Sequence, residues 1–242
     1  MSKQATFLMC SPRGEQSGSF SLGNYFSSLL EEQGVVVKSF HIYQTLRNKE
    51  KIEQMIQSVN DSEIVLISTP LYIDSSPYMT IRMMDEITAA KQEGKIDEKS
   101  RLVTTIICAG FLEYYHNELA MKIYQQFAKK NNFVWGGGFP IGAAGTYASY
   151  SILEILEMVK TLPQDDYRQF FYGKPAKILD DVFHKAVKCL VKGEKISDID
   201  LKELEIIPIP LESYVRGGNE SWIEWARQLG TADKLRDKPY EK

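Results

Sequence analysis

The run ATFLMC at residues 5–10, followed at once by SPRGEQSGS at 11–19, decides how the rest of the chain is read. Six residues without a charge are too few for a core helix and suit a strand covered on both faces. The nine that follow carry two glycines, Gly14 and Gly18, and three hydroxyls, Ser11, Ser17 and Ser19. Leu22, Tyr25, Phe26, Leu29 and Leu30 then fall at i, i+3, i+4, i+7 and i+8, the stripe of an amphipathic helix. Gly34 stands where a helix C-terminus favours glycine. The unit is strand, turn, helix.

Working outward, that unit repeats. Strand-like runs recur at Val35–His41, Ile64–Thr69, Leu102–Cys108 and Phe133–Phe139. Between them, helical spacing returns in Ile52, Met55, Ile56 and Val59, and again in Leu119, Ala120, Ile123, Tyr124 and Phe127. Five strands alternating with helices predict an α/β fold, a doubly wound five-stranded parallel sheet with helices on both faces. Beyond residue 150 the alternation stops. Ile152, Ile155, Leu156 and Val159 suggest one helix, and Ile178, Val182, Ala186 and Leu190 a second, with the aromatic-rich TLPQDDYRQFFYGKP as connection. After IIPIPLESY a short helix is expected around Trp222 and Trp225, which pack on the domain or on a second subunit. The expected organisation is a core over 1–162 and a helical C-terminal extension over 163–242, packed on the core and not an independent domain.

Composition narrows the function. Lysine and arginine number 29 against 32 acids, a net charge of −3, so neither a nucleic-acid nor a membrane partner is expected. No apolar run approaches the ~20 residues of a membrane span, and the N-terminal residues do not read as a signal peptide. A cytoplasmic location is expected. Cys10, Cys108 and Cys189 are odd in number and far apart, which leaves no disulfide framework, metal site or cysteine-bound cluster. Cys10 and Cys108 end strands, where a redox role competes with the commoner inert, buried thiol. His41, His116 and His184 have no partner at ligand spacing and read as structural.

Open α/β sheets bind ligands beyond the carboxyl ends of their strands, so the turns after strands one, three and four matter most. After strand one, glycines let amides curve toward an anion, serine hydroxyls donate, Arg13 adds charge and the next helix offers its N-terminus. A plain capped surface turn has the same composition. Neither GxGxxG nor GxxxxGK[ST] is present, against a dinucleotide site or a phosphate-hydrolysing loop. After strand three, Thr69-Pro70-Leu71-Tyr72-Ile73-Asp74-Ser75-Ser76-Pro77 puts apolar residues in a loop, with Ser76 as helix cap and Pro77 as first helical residue. After strand four, Cys108-Ala109-Gly110-Phe111 allows close backbone approach. Together the loops describe a site for a mononucleotide with a large planar ring. Gly136, Gly137 and Gly138, with Gly142 and Gly145, suggest a mobile loop after the fifth strand, beside Thr146 and Tyr147.

On these residues the chain resembles the NAD(P)H-dependent FMN reductase family of flavodoxin-like flavoproteins. Ser11-Pro12-Arg13 with Ser17 and Ser19 resembles that family's phosphate loop. Thr69-Pro70-Leu71-Tyr72, with Asp74 and Pro77, resembles its ring loop. The likeness spans roughly residues 4–150. Cys10 stands where the family often has glycine, and Glu15 adds a negative charge that is harmless only if it faces solvent.

The resemblance implies an FMN cofactor held at its phosphate by Ser11, Arg13, Ser17 and Ser19. Pro70, Leu71, Tyr72 and Ile73 would line the isoalloxazine, joined by Ala109, Gly110 and Phe111. It implies an oxidoreductase passing hydride from NAD(P)H, as co-substrate, to flavin N5 and on to a small-molecule electron acceptor such as a flavin or quinone. Amides at Leu71–Ile73 and Gly110–Phe111 would stabilise the ring, with no catalytic side chain named. A homodimer is an expectation from the resemblance. Two other readings are a flavodoxin-type electron carrier and a non-catalytic binding module.

Overall fold

The computed structural model describes residues 2–207, 209–238 and 240. Five strands, β1 (Gln4–Met9), β2 (Val36–His41), β3 (Ile64–Pro70), β4 (Leu102–Cys108) and β5 (Val134–Ile141), form one parallel sheet in the order β2-β1-β3-β4-β5. The order reverses between β1 and β3, which opens a crevice at their carboxyl ends. The helices are α1 (Gly18–Glu32), α2 (Ile42–Thr45), α3 (Lys49–Asp61), α4 (Tyr78–Gln92) and α5 (Glu118–Lys130). They continue as α6 (Thr146–Ser149), α7 (Ile152–Lys160), α8 (Lys174–Lys192), α9 (Asp198–Lys202) and α10 (Leu211–Gln228). This is a flavodoxin-like α/β fold. Among the described residues no helix is long and apolar enough to cross a membrane.

The strands are apolar on both faces because both are covered. Along β3, Ile64 and Leu66 join one core while Val65 and Ile67 join the other. In β4 Leu102 and Ile106 face the first, Val103 and Ile107 the second. The first core holds α1, α7 and α8; the second holds α3, α4 and α5. Phe26, Phe139 and Phe183 pack with centroids 4.9–5.4 Å apart, Phe183 edge-on to the other two, locking α1 and α8 to β5. The Tyr25 hydroxyl donates to Asp180 across the same two helices. The helix expected in an extension from residue 163 therefore fills the sheet's first face beside α1.

Two compact units divide the chain, Met1–Pro208 and Ile209–Lys242. Within the first, the aromatic connection ends in a π-helical turn, Gln169–Gly173, that runs directly into α8. Gly136–Gly138 lie inside β5, as the strand run Phe133–Phe139 predicts, and not in the mobile loop that the same glycines suggest. Added Cβ atoms there would come within 3.1 Å of Leu190, 3.1 Å of Ile196 and 2.1 Å of the Met121 sulfur. The glycines let helices approach both sides of this edge strand. Gly137, with φ of +122°, lies next to the register shift opposite Val103 and Thr104.

Candidate functional site

Three loops meet at the carboxyl edge around the sheet's reversal. After β1 the chain turns through Gly14 at φ +57° and enters α1 at Ser17. Ser17 is the N-cap: its Oγ accepts from the Phe20 amide at 3.2 Å and donates to the Gly14 carbonyl at 2.7 Å. That leaves Gly18 and Ser19 as the first amides of the helix, at its positive end. The Ser68 hydroxyl on β3 donates to the Ser19 carbonyl at 2.5 Å and fixes this first turn against the sheet.

Ser11, Ser17 and Ser19 are all buried around the turn, whereas Arg13 and Glu15 are exposed. Ser11 Oγ accepts from the Arg13 amide at 3.2 Å, which leaves its own proton for a ligand. The Ser19 hydroxyl donates to Ser17 Oγ at 3.4 Å, a long bond that a phosphate could replace. Arg13 makes no ion pair among the described residues. The donors are thus two helix amides, Ser11, Ser19 and a flexible guanidinium, with Ser17 engaged in capping. With Glu15 turned to solvent, that set suits a phosphate. His41 at the end of β2 supports the turn from below, its Nε2 3.0 Å from where a Gly14 Cβ would be.

Pro70 closes β3 opposite Cys108, and the loop beyond is a tight hairpin. Tyr72 and Ser75 exchange backbone bonds at 2.7 and 3.2 Å around Ile73 and Asp74, whose φ values are +46° and +59°. Positive φ at both central residues is the type I′ pattern. Ile73 is 97% exposed at its tip and Tyr72 48% exposed on its shoulder. The Leu71 amide donates to the Cys108 carbonyl at 2.9 Å, and that of Tyr72 closes the hairpin. Neither can serve a ligand as the sequence suggested; the amides of Ile73 and Phe111 remain. Pro77, not Ser76, caps α4, since Ser76 turns inward to the Tyr124 hydroxyl at 2.5 Å.

Beyond β4, Ala109 is buried, Gly110 faces open space and Phe111 is 63% exposed. The loop after β5 braces this segment: Ala143 donates to the Phe111 carbonyl at 2.6 Å and Ala144 to that of Ala109 at 3.0 Å. The brace also touches the phosphate turn, since a Cβ on Gly18 would lie 2.2 Å from the Ala144 carbonyl oxygen. Gly142 and Gly145 suggest a mobile loop in the sequence; in the structure its backbone is tied to Ala109 and Phe111. His116, read as merely structural, packs its ring 5.3 Å from that of Phe111 and sits 3.7 Å from Glu113. No spacing rule connects it to the site.

Titration here is quiet. Burial pushes the Cys10 thiol up to about 12 despite the nearby Thr80 hydroxyl, and burial alone raises Cys108. Neither is a thiolate at neutral pH, so a nucleophilic role is disfavoured. Burial likewise raises Tyr124 and Tyr147, and Tyr43 with Tyr72 and Cys10 beside it. A separate cleft of about 390 Å³, between α3 and α4 over Ile52, Ile56 and Ala89, lies on the helical flank away from these loops.

No family model matches the chain, and no curated protein matches it in sequence. Solved structures match it in shape. An NAD(P)H:quinone oxidoreductase from Methanothermobacter marburgensis is 14% identical, covers 78% of this chain and 96% of its own, and has a TM-score of 0.53. An NADH:FMN oxidoreductase, in its apo form, is 11% identical over 88% of this chain and 99% of its own, with a TM-score of 0.51. A flavone reductase is 9% identical over 77% of this chain and 62% of its own, at 0.52. What the chain shares with these oxidoreductases is the flavodoxin-like fold.

Proposed function

We propose that this chain is a flavin-dependent NAD(P)H oxidoreductase that holds FMN at the carboxyl edge of its sheet. One observation carries the reading. An anion cradle at the N-terminus of α1 and two half-exposed aromatic rings, Tyr72 and Phe111, sit on adjacent loops around the sheet's reversal. A phosphate at one end and a planar ring at the other is what that pairing fits. The likeness in fold to an NAD(P)H:quinone oxidoreductase and an NADH:FMN oxidoreductase supports it.

When bound, FMN supplies the redox chemistry, accepting hydride from the nicotinamide and returning electrons to a small acceptor. The chain's part is binding and orientation. Gly18 and Ser19 amides, Ser11, Ser19 and Arg13 would hold the phosphate, while Ser17 keeps the helix end rigid. Pro70, Leu71, Tyr72 and Ile73 would line one side of the ring, and Ala109, Gly110 and Phe111 another. The Ile73 and Phe111 amides would stabilise negative charge that develops on it. Hydride transfer needs no side-chain acid, in keeping with the unreactive thiols.

The cradle is tested by comparing FMN with riboflavin, which lacks the phosphate, in fluorescence titrations. FMN should bind at least tenfold more tightly. Arg13→Ala with Ser19→Ala, which leaves the Ser17 cap in place, should erase most of that difference. Equal affinities for both flavins would remove the cradle from the account.

A further inference from the structure

The second compact unit is dominated by α10, and one stripe of that helix is apolar and exposed. At about 100° per residue, Leu211, Val215, Gly218, Trp222, Trp225 and the C-cap Leu229 fall on a common face. Trp222 is 69%, Trp225 64% and Leu229 77% exposed. The unit Ile209–Lys242 is shorter than the roughly 40 residues that usually fold without outside support. A stripe of this kind marks an interaction surface, not a solvated face.

We infer that the stripe pairs with its own copy, α10 against α10, antiparallel about a two-fold axis passing Glu220. The pairing follows from the sequence order of large and small residues. In that register Leu211 meets Leu229 of the partner subunit, and Val215 meets Trp225 of the partner subunit. Trp222 lies over Gly218 of the partner subunit. Glycine inside a helix is unfavourable, yet a Cβ at Gly218 would touch nothing within 4 Å. That open backbone is the space a tryptophan ring needs. On one flank Glu212 comes opposite Arg227 of the partner subunit, so the charges also complement themselves.

Every contact in this arrangement is reciprocal, as a two-fold interface requires. With roughly 150–250 Å² per tryptophan, two copies would bury on the order of 1,000 Å², the lower range of specific interfaces. A membrane is a poorer occupant. The polar face carries Glu212, Glu220 and Glu224 against Arg216 and Arg227, whereas helices that lie on anionic lipid are rich in lysine and arginine there. The inference stands apart from the flavin assignment and uses none of its residues.

Sedimentation equilibrium of the full chain tests it. The native protein should be a dimer at micromolar concentration. Trp222→Glu with Trp225→Glu should be a monomer of unchanged helix content. Gly218→Leu, which favours the helix but fills the space, should weaken association at least tenfold. In a Cys189→Ser background, Leu211→Cys protein mixed with Leu229→Cys protein should give a crossed disulfide that neither forms alone. A native monomer would overturn the inference, and so would a dimer indifferent to both sets of variants. Leu211→Cys linking to itself would overturn the antiparallel register. A monomer whose tryptophans resist acrylamide quenching would put the stripe against its own chain, also against the proposal.

Discussion

Ile73 is a β-branched residue held in the left-handed region, fully in solvent, at a turn position where asparagine or glycine is the ordinary choice. That conformation costs an L-residue roughly 1–2 kcal/mol, and burial of the side chain, 97% exposed, does not compensate for it. A ring lying on the hairpin would. Ile73→Asn should therefore raise the stability of flavin-free protein by about 1 kcal/mol in urea unfolding while weakening FMN binding. A variant that is no more stable would show that the turn is unstrained; unchanged FMN affinity would take the ring off this loop. The cradle candidates stand out in the sequence as hydroxyls and glycines before a helix, a composition that a plain capped turn shares. The hydrogen bonding does not. Leu71 and Tyr72 lose their amides to a hairpin that an Ile-Asp pair does not announce, and Ser17 is a cap before it is a ligand.

The elements show where periodicity suffices. All five strands fall within two residues of the ends that apolar runs and spacing predict, because burial on both faces leaves a clear signature. Glycine misleads where it serves packing. Gly136–Gly138 suggest a flexible loop although they fall within the strand run Phe133–Phe139, and they sit in β5 to admit Ile196, Leu190 and Met121. α10 runs 18 residues, with Gly217 and Gly218 in its interior, where the sequence predicts only a short helix around the tryptophans. Contact between the loop after β5 and the start of α1 has no sequence signal beyond small residues. Gly18→Ala tests it, since the new methyl must displace the Ala144 carbonyl. It should cost about 1–3 kcal/mol and loosen FMN, measured by thermal unfolding and titration. Gly145→Ala, with open space around it, is the control and should change neither. Equal behaviour of the two variants would mean that this brace does not hold the site.

For the whole molecule, alternation of strand and helix gives the flavodoxin-like sheet, and the sheet's reversal points to the candidate site. What alternation cannot give is the destination of elements after the last strand. α8 is an amphipathic helix with no strand to follow, so its pattern fits a place on the sheet or on an appendage equally well. In the structure Phe183 and Asp180 commit it to the sheet. On the proposed reading, the acceptor would be set by what the loops carrying Tyr72 and Phe111 admit, a matter of shape that residue spacing does not encode. The account as a whole stands on electron flow through a bound flavin. The most direct measurement is the visible spectrum of FMN-loaded protein mixed anaerobically with NADH or NADPH. Prompt bleaching of the flavin bands by one of the two nucleotides is the predicted result. Bands that stay oxidised with both would contradict it and leave an electron carrier in its place.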